Sequence, residues 1–179
     1  WGLRGPIFWA FDITNFVFWI GISHAGTLIS AILRLVNAGW RRPVTRCAEA
    51  ITVFALMIGA MFPIIHLGRP WLFFWMIPYP SERQIWPNFR SPLVWDFFAI
   101  SAYLTGSVLF LFLPMIPDFA LVRDRTTGLR SRIYGTLALG WQGTTKQWHR
   151  LESAMQIMAI AIIPVAVPVH TIVSFDFSM

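Results

Sequence analysis

Apolar residues run through the chain in four long blocks, at about residues 7–35, 47–66, 93–114 and 151–171. A helix of about 20 residues crosses a hydrocarbon core of about 30 Å, so each block is long enough to span a bilayer. The pattern predicts an all-α integral membrane protein with residues 1–179 forming one four-transmembrane-helix bundle. Residues 36–46 and 115–150 become loops on one side, and 67–92 an interfacial segment on the other. Within that segment the apolar patch Trp71 to Pro80 is too short to span. With Pro70 counted, it carries three prolines, which suits an interfacial or re-entrant path. Small residues four apart, Gly21 with Ala25 and Gly26 with Ser30, predict close helix packing. Trp9, Trp75, Tyr79, Trp86, Trp95 and Trp141 fall near span ends as aromatic belts.

Composition makes the bilayer the solvent: 56% of residues are hydrophobic and 12% charged, against about a quarter charged in ordinary soluble domains. The net charge of +6 would suggest nucleic acid in a soluble chain, but here the basic residues sit between apolar runs, where topology explains them. Ten Lys and Arg fall on the side of loops 36–46 and 115–150 and four on the other. The first side is therefore the cytoplasm, and both chain ends face outward. Cys47 is the single cysteine, so this chain alone makes no disulfide and no thiolate-ligated iron-sulfur or zinc site. The chain opens at Trp1 without an initiator Met and stops at Met179 directly after an apolar run, as expected of a piece of a longer protein.

Ionisable residues inside spans are costly and mark candidate sites. His66 closes the second span on the outward side, where a neutral imidazole is suited to take a proton from a quinol hydroxyl. The alternative is a hydrogen bond to a carbonyl freed near Pro63 or Pro70. Asp96 enters the third span between Trp95 and Phe97, where partial dehydration suits a carboxylate for proton transfer; helix capping is the competing role. Asp12 and His24 lie in the first span and form a candidate proton relay, or else interhelical glue, the role favoured for Asn15 and Thr27. Asp176 follows the fourth span and is either a loop acid or a site residue. His170, from the same segment, points roughly the opposite way if the helix continues. His66, Asp96, Asp176 and His170, from three spans, converge on the outward end as a candidate polar pocket, with Arg69 as a cation beside it or an interfacial anchor.

The strings His66-Leu67-Gly68-Arg69-Pro70-Trp71, Trp86-Pro87-Asn88-Phe89-Arg90-Ser91-Pro92-Leu93 and Trp95-Asp96 resemble the NrfD-like family of polysulfide reductase membrane subunits. Trp19 to Leu33, Ile116-Pro117-Asp118 and Leu139-Gly140-Trp141 extend the resemblance over nearly the whole chain. Within the family the chain is most similar to the quinol-oxidising membrane subunit of bacterial alternative complex III; a paralogous NrfD-like subunit of that complex has related strings. The resemblance implies two four-helix bundles, of which this chain is the first, in a multi-pass protein of the bacterial cytoplasmic membrane. It implies menaquinol or another membrane quinol as substrate, with no haem or iron-sulfur cluster bound by this chain. His66, Asp96 and Asp176 would be the catalytic residues, His66, Arg69, Asp96 and His170 the quinol-binding ones, and Asp12 and His24 a proton relay. The implied partners are an iron-sulfur subunit docked outside, a multihaem cytochrome c and the paralogous NrfD-like membrane subunit. Two other readings stand beside this one: a haem b cytochrome with His66 and His170 as axial ligands, and an anchor without quinol chemistry. A transporter is disfavoured, since no inverted repeat is visible.

Overall fold

The computed structural model describes residues 9–77, 80, 85 and 92–176. Among the described residues the chain is all-helical. The α-helices are α1 (Trp9–Leu35), α2 (Arg41–His66), α3 (Pro92–Arg125), α4 (Leu129–Leu137) and α5 (Thr145–Asp176), with a 3-10 helix at Pro70–Met76. Four of them, α1, α2, α3 and α5, are long and apolar enough to cross a membrane. They pack in the cyclic order α1, α2, α3, α5, each against its two neighbours. The strings Trp86-Pro87 and Asn88 to Ser91, with Tyr79, lie outside the described residues.

The helices outrun the apolar blocks. The third block was expected to stop at Pro114, yet α3 continues through Pro114 and Pro117 to Arg125. Prolines are tolerated in such a helix because neighbouring groups re-satisfy the carbonyls they free. At 1.5 Å per residue the 34 residues of α3 rise about 50 Å, well beyond a hydrocarbon core of about 30 Å. Its last turns therefore leave the membrane with Asp118, Arg123 and Asp124. The region 115–150 is consequently mostly helical: the end of α3, then α4, then the first turn of α5. Phe119 stacks on Tyr134 (6.1 Å), holding α4 to α3. A left-handed Gly128 (φ 70°) makes the turn between them.

The bundle is apolar outside and partly polar inside, the inverse of a soluble protein. Phe11, Phe18, Ile32, Phe54, Met61, Ile157 and Ile160 are exposed, whereas Ser23, His24, Thr27, Ser30, Glu49, Thr52 and Ser107 are buried. Lipid solvates the first set; the second needs internal partners. Phe16, Ile20, Leu56, Ile100, Phe110, Met155 and Ile162 fill the apolar core. The two small-residue pairs differ. A Cβ on Gly26 would lie 2.5 Å from Thr52 Oγ1 and 2.6 Å from the Ala48 carbonyl oxygen, so α1 and α2 touch there by backbone. Nothing lies within 4 Å of a Cβ on Gly21, which faces outward with Ala25.

Candidate functional site

One face of α1 organises the buried polar groups. Asp12, Ser23, His24, Thr27 and Ser30 are buried there with Phe16, Ile20 and Ala31, a spacing that keeps them on one helical stripe. They form three tiers.

At the first tier, Oδ2 of the buried Asp12 lies 3.5 Å from Nδ1 of His66. The two groups face each other at a distance that makes an ion pair only when the imidazole is protonated, and no hydrogen bond joins them. Asp12 is in the first turn of α1 and His66 is the last residue of α2. A carboxylate at a helix N-terminus and an imidazole at a C-terminus are each favoured by the local backbone dipoles. The sequence after His66 fixes that ending. Gly68 adopts φ 67° and donates its N–H to the Ile65 carbonyl at 3.1 Å, and Pro70 has no N–H with which to continue the helix. Arg69 follows, exposed. Asp96 is buried near the start of α3, at the same end of the bundle. Its neighbour Trp95 meets Phe175 edge-on (6.4 Å), tying the start of α3 to the end of α5. Asp176 closes α5; its side chain lies outside the described residues.

At the second tier, His24 Nε2 lies 3.1 Å from the Ala166 carbonyl oxygen. Its ring stacks on Tyr103 (4.9 Å) and meets His170 edge-on (5.6 Å). Tyr103 comes from α3, diagonally across the bundle, and is fully buried. Its hydroxyl meets Thr27 Oγ1 at 2.5 Å and accepts from Ser23 Oγ at 3.4 Å. Thr52 Oγ1 lies 3.1 Å from the Ser23 carbonyl and 2.9 Å from that of Ala48.

At the third tier, Ser30 Oγ donates to Glu49 Oε1 (2.6 Å), and Arg34 Nη2 approaches the same oxygen (3.4 Å). Glu49 is 2% exposed, a carboxylate enclosed in the membrane region and held by a hydroxyl and a guanidinium.

The structure thus pairs Asp12 with His66 rather than with His24. His170 is exposed and its ring is against His24. The two histidines of the haem reading thus have different neighbours, His66 facing Asp12 and His170 facing His24. Thr27 is interhelical glue, while Asn15 donates within its own helix, to the Phe11 carbonyl at 2.9 Å. Glu49 and Tyr103 were not among the sequence candidates. Glu49 had a visible signal, a lone acid inside the apolar run 47–66; Tyr103 had none, since its partners lie on a helix it does not neighbour.

Comparison with known proteins places this arrangement. The pattern of the family described as "Polysulphide reductase, NrfD" matches residues 2–179. The chain belongs to the NrfD family. Among the relatives of this NrfD chain is a selenate reductase subunit of Mesobacillus selenatarsenatis, 32% identical over 90% of the chain and 38% of that relative. Another is a putative dimethyl sulfoxide reductase membrane subunit of Halobacterium salinarum, 23% identical over 99% of the chain and 37% of that relative. The chain therefore spans little more than a third of either relative's length. The strings around His66 and Asp96 that carry the NrfD resemblance end α2 and begin α3, both at the Asp12 tier.

Proposed function

We propose that this chain is the quinol-oxidising part of an NrfD membrane subunit, with the quinol site at the Asp12, His66 and Asp96 end of the bundle. The observation that carries the reading is the contact between buried Asp12 and His66. A carboxylate at Nδ1 favours the tautomer with its proton there, leaving Nε2 as the basic nitrogen of the ring. Nε2 accepts one proton from a quinol hydroxyl, and Asp96 accepts the other, with Arg69 and Asp176 at the mouth of the site. Oxidation of quinol to quinone releases two protons and two electrons. The electrons leave to an iron-sulfur subunit docked at this end. The distribution of Lys and Arg supports reading this as the outward face; in a bacterial cytoplasmic membrane, protons taken up here are then released outward. His170 faces the deeper His24, ring against ring.

The named relatives are subunits of reductases, and reduction of an acceptor consumes electrons that a membrane quinol such as menaquinol supplies. That favours a complex ending in a reductase. The sequence strings favour alternative complex III, with a multihaem cytochrome c and a paralogous membrane subunit as partners. The oxidation of quinol at this chain is common to both, and the proteins that purify with the intact complex distinguish them.

The test is quinol oxidation by the intact complex carrying Asp96→Asn or His66→Gln, with assembly checked by native gel. Loss of activity by about a hundredfold or more in assembled complex is the expected result, the scale of general acid–base contributions. Wild-type turnover in both variants would leave the chain as an anchor for peripheral redox subunits.

A further inference from the structure

At the end of the bundle opposite Asp12, a cavity of about 1080 Å³ opens among the ends of α1, α2, α3 and α5. Five arginines line it, Arg34, Arg41, Arg42, Arg46 and Arg123, against the carboxylates Asp118, Asp124 and Glu152. Most of these charges are already engaged. Arg46 pairs with Asp118 at 2.6 Å, Arg123 with Asp124 at 2.8 Å, and Arg34 with Glu49 at 3.4 Å. Arg41 and Arg42 have no ion pair among the described residues, and Arg41 stands near enough to Arg34 to repel it. At the start of α2, where both sit, Arg41 donates its N–H to the Ala38 carbonyl and Pro43 has none, so the positive potential there comes chiefly from the two guanidinium groups. The deeper wall is apolar, built by Pro114, Pro117, Leu151 and Met155. Trp141 and Trp148 are in edge contact (5.0 Å) at the cavity, as is usual at headgroup depth.

Excess cationic charge over an apolar wall, at the depth of an aromatic belt, is complementary to an amphiphile with an anionic head. We propose that this cavity binds an anionic phospholipid, its phosphate held by Arg41 and Arg42 and its acyl chains lying along Pro114 and Met155. The inference does not depend on the quinol reading, because it concerns the other end of the bundle. A polybasic site of this kind gains about 1 kcal/mol per arginine near the phosphate, so removing two of them weakens retention about thirtyfold.

The test uses the whole membrane protein purified in detergent and examined by native mass spectrometry while phosphatidylglycerol, phosphatidylcholine or inorganic phosphate is added. Phosphatidylglycerol should be retained at higher collision energy than phosphatidylcholine, and Arg41→Gln/Arg42→Gln should abolish that difference. Arg42→Gln alone, at an exposed position, should weaken it about fivefold and serves if the double variant fails to assemble. Equal retention of the two lipids, or retention unchanged in both variants, would overturn the proposal. So would full protection of the wild type by inorganic phosphate alone, which would make the site one for a free anion.

Discussion

The two ends of the bundle bury acids in opposite ways. Glu49 is enclosed with Ser30 and Arg34 within hydrogen-bonding distance of one of its oxygens, an arrangement whose partners are all supplied by α1. Asp12 has a long contact to a half-buried imidazole at a helix end, and Asp96 is buried at the same end of the bundle. The first joins the interiors of two helices through a short contact, useful for holding α1 against α2. The second joins the start of one helix to the end of another through a longer one. Between Asp12 and Ser23 the buried face of α1 carries Phe16 and Ile20. That apolar layer is about 16 Å long at 1.5 Å per residue. The difference teaches that a buried charge is no indicator of chemistry by itself; its depth in the bundle and the length of its contacts set how tightly it is held.

Substitutions at the two ends should therefore separate stability from activity. The largest effect expected is from Glu49→Ala, which leaves Arg34 unpaired and should cost about 3–5 kcal/mol, read as a lower unfolding midpoint in a detergent melt. Glu49→Gln keeps an acceptor for Ser30 and should cost visibly less; an equal loss would mean that charge alone matters there. Asp12→Asn should leave that midpoint nearly unchanged while slowing quinol oxidation about tenfold to a hundredfold, by weakening the hold on the His66 tautomer. If instead Asp12→Asn melts the protein and spares turnover, the two ends have the same role. Gly26→Ala forces a methyl against Thr52 and the Ala48 carbonyl, and should destabilise by about 1–3 kcal/mol without touching either end's chemistry. The smallest effect is expected for Tyr103→Phe. Losing the hydroxyl that joins Thr27 and Ser23 should cost about 1 kcal/mol, seen as faster hydrogen exchange in the middle of α1.

Much of this architecture is legible in the chain because lipid imposes a length on every apolar run. The blocks 47–66, 93–114 and 151–171 lie within α2, α3 and α5, and the first follows α1 over its described residues 9–35. What was not legible was their true extent, since Pro114 and Pro117 look like stops and the polar stretch 115–150 looks like a loop. A bundle that covers freed carbonyls lets a helix run past both signals. At the site, the positions of His66 and Asp96 at one end followed from counting spans. The partnerships did not: Asp12 with His66, His24 with His170 and Tyr103 with Thr27 depend on helix rotation and cyclic order, which hydropathy does not encode. Glu49 was legible in principle and hidden by its apolar neighbours Ala48 and Ala50.

The contact at Gly26 has a mechanical consequence. With no room for a methyl group, α1 and α2 are clasped near mid-membrane and move as one lever arm. α3 and α5 each carry two prolines inside the helix, Pro114 with Pro117 and Pro164 with Pro168, and α2 carries Pro63 eleven residues past Thr52. Bending at these interrupted turns leaves the clasped stretch of α1 and α2 unchanged.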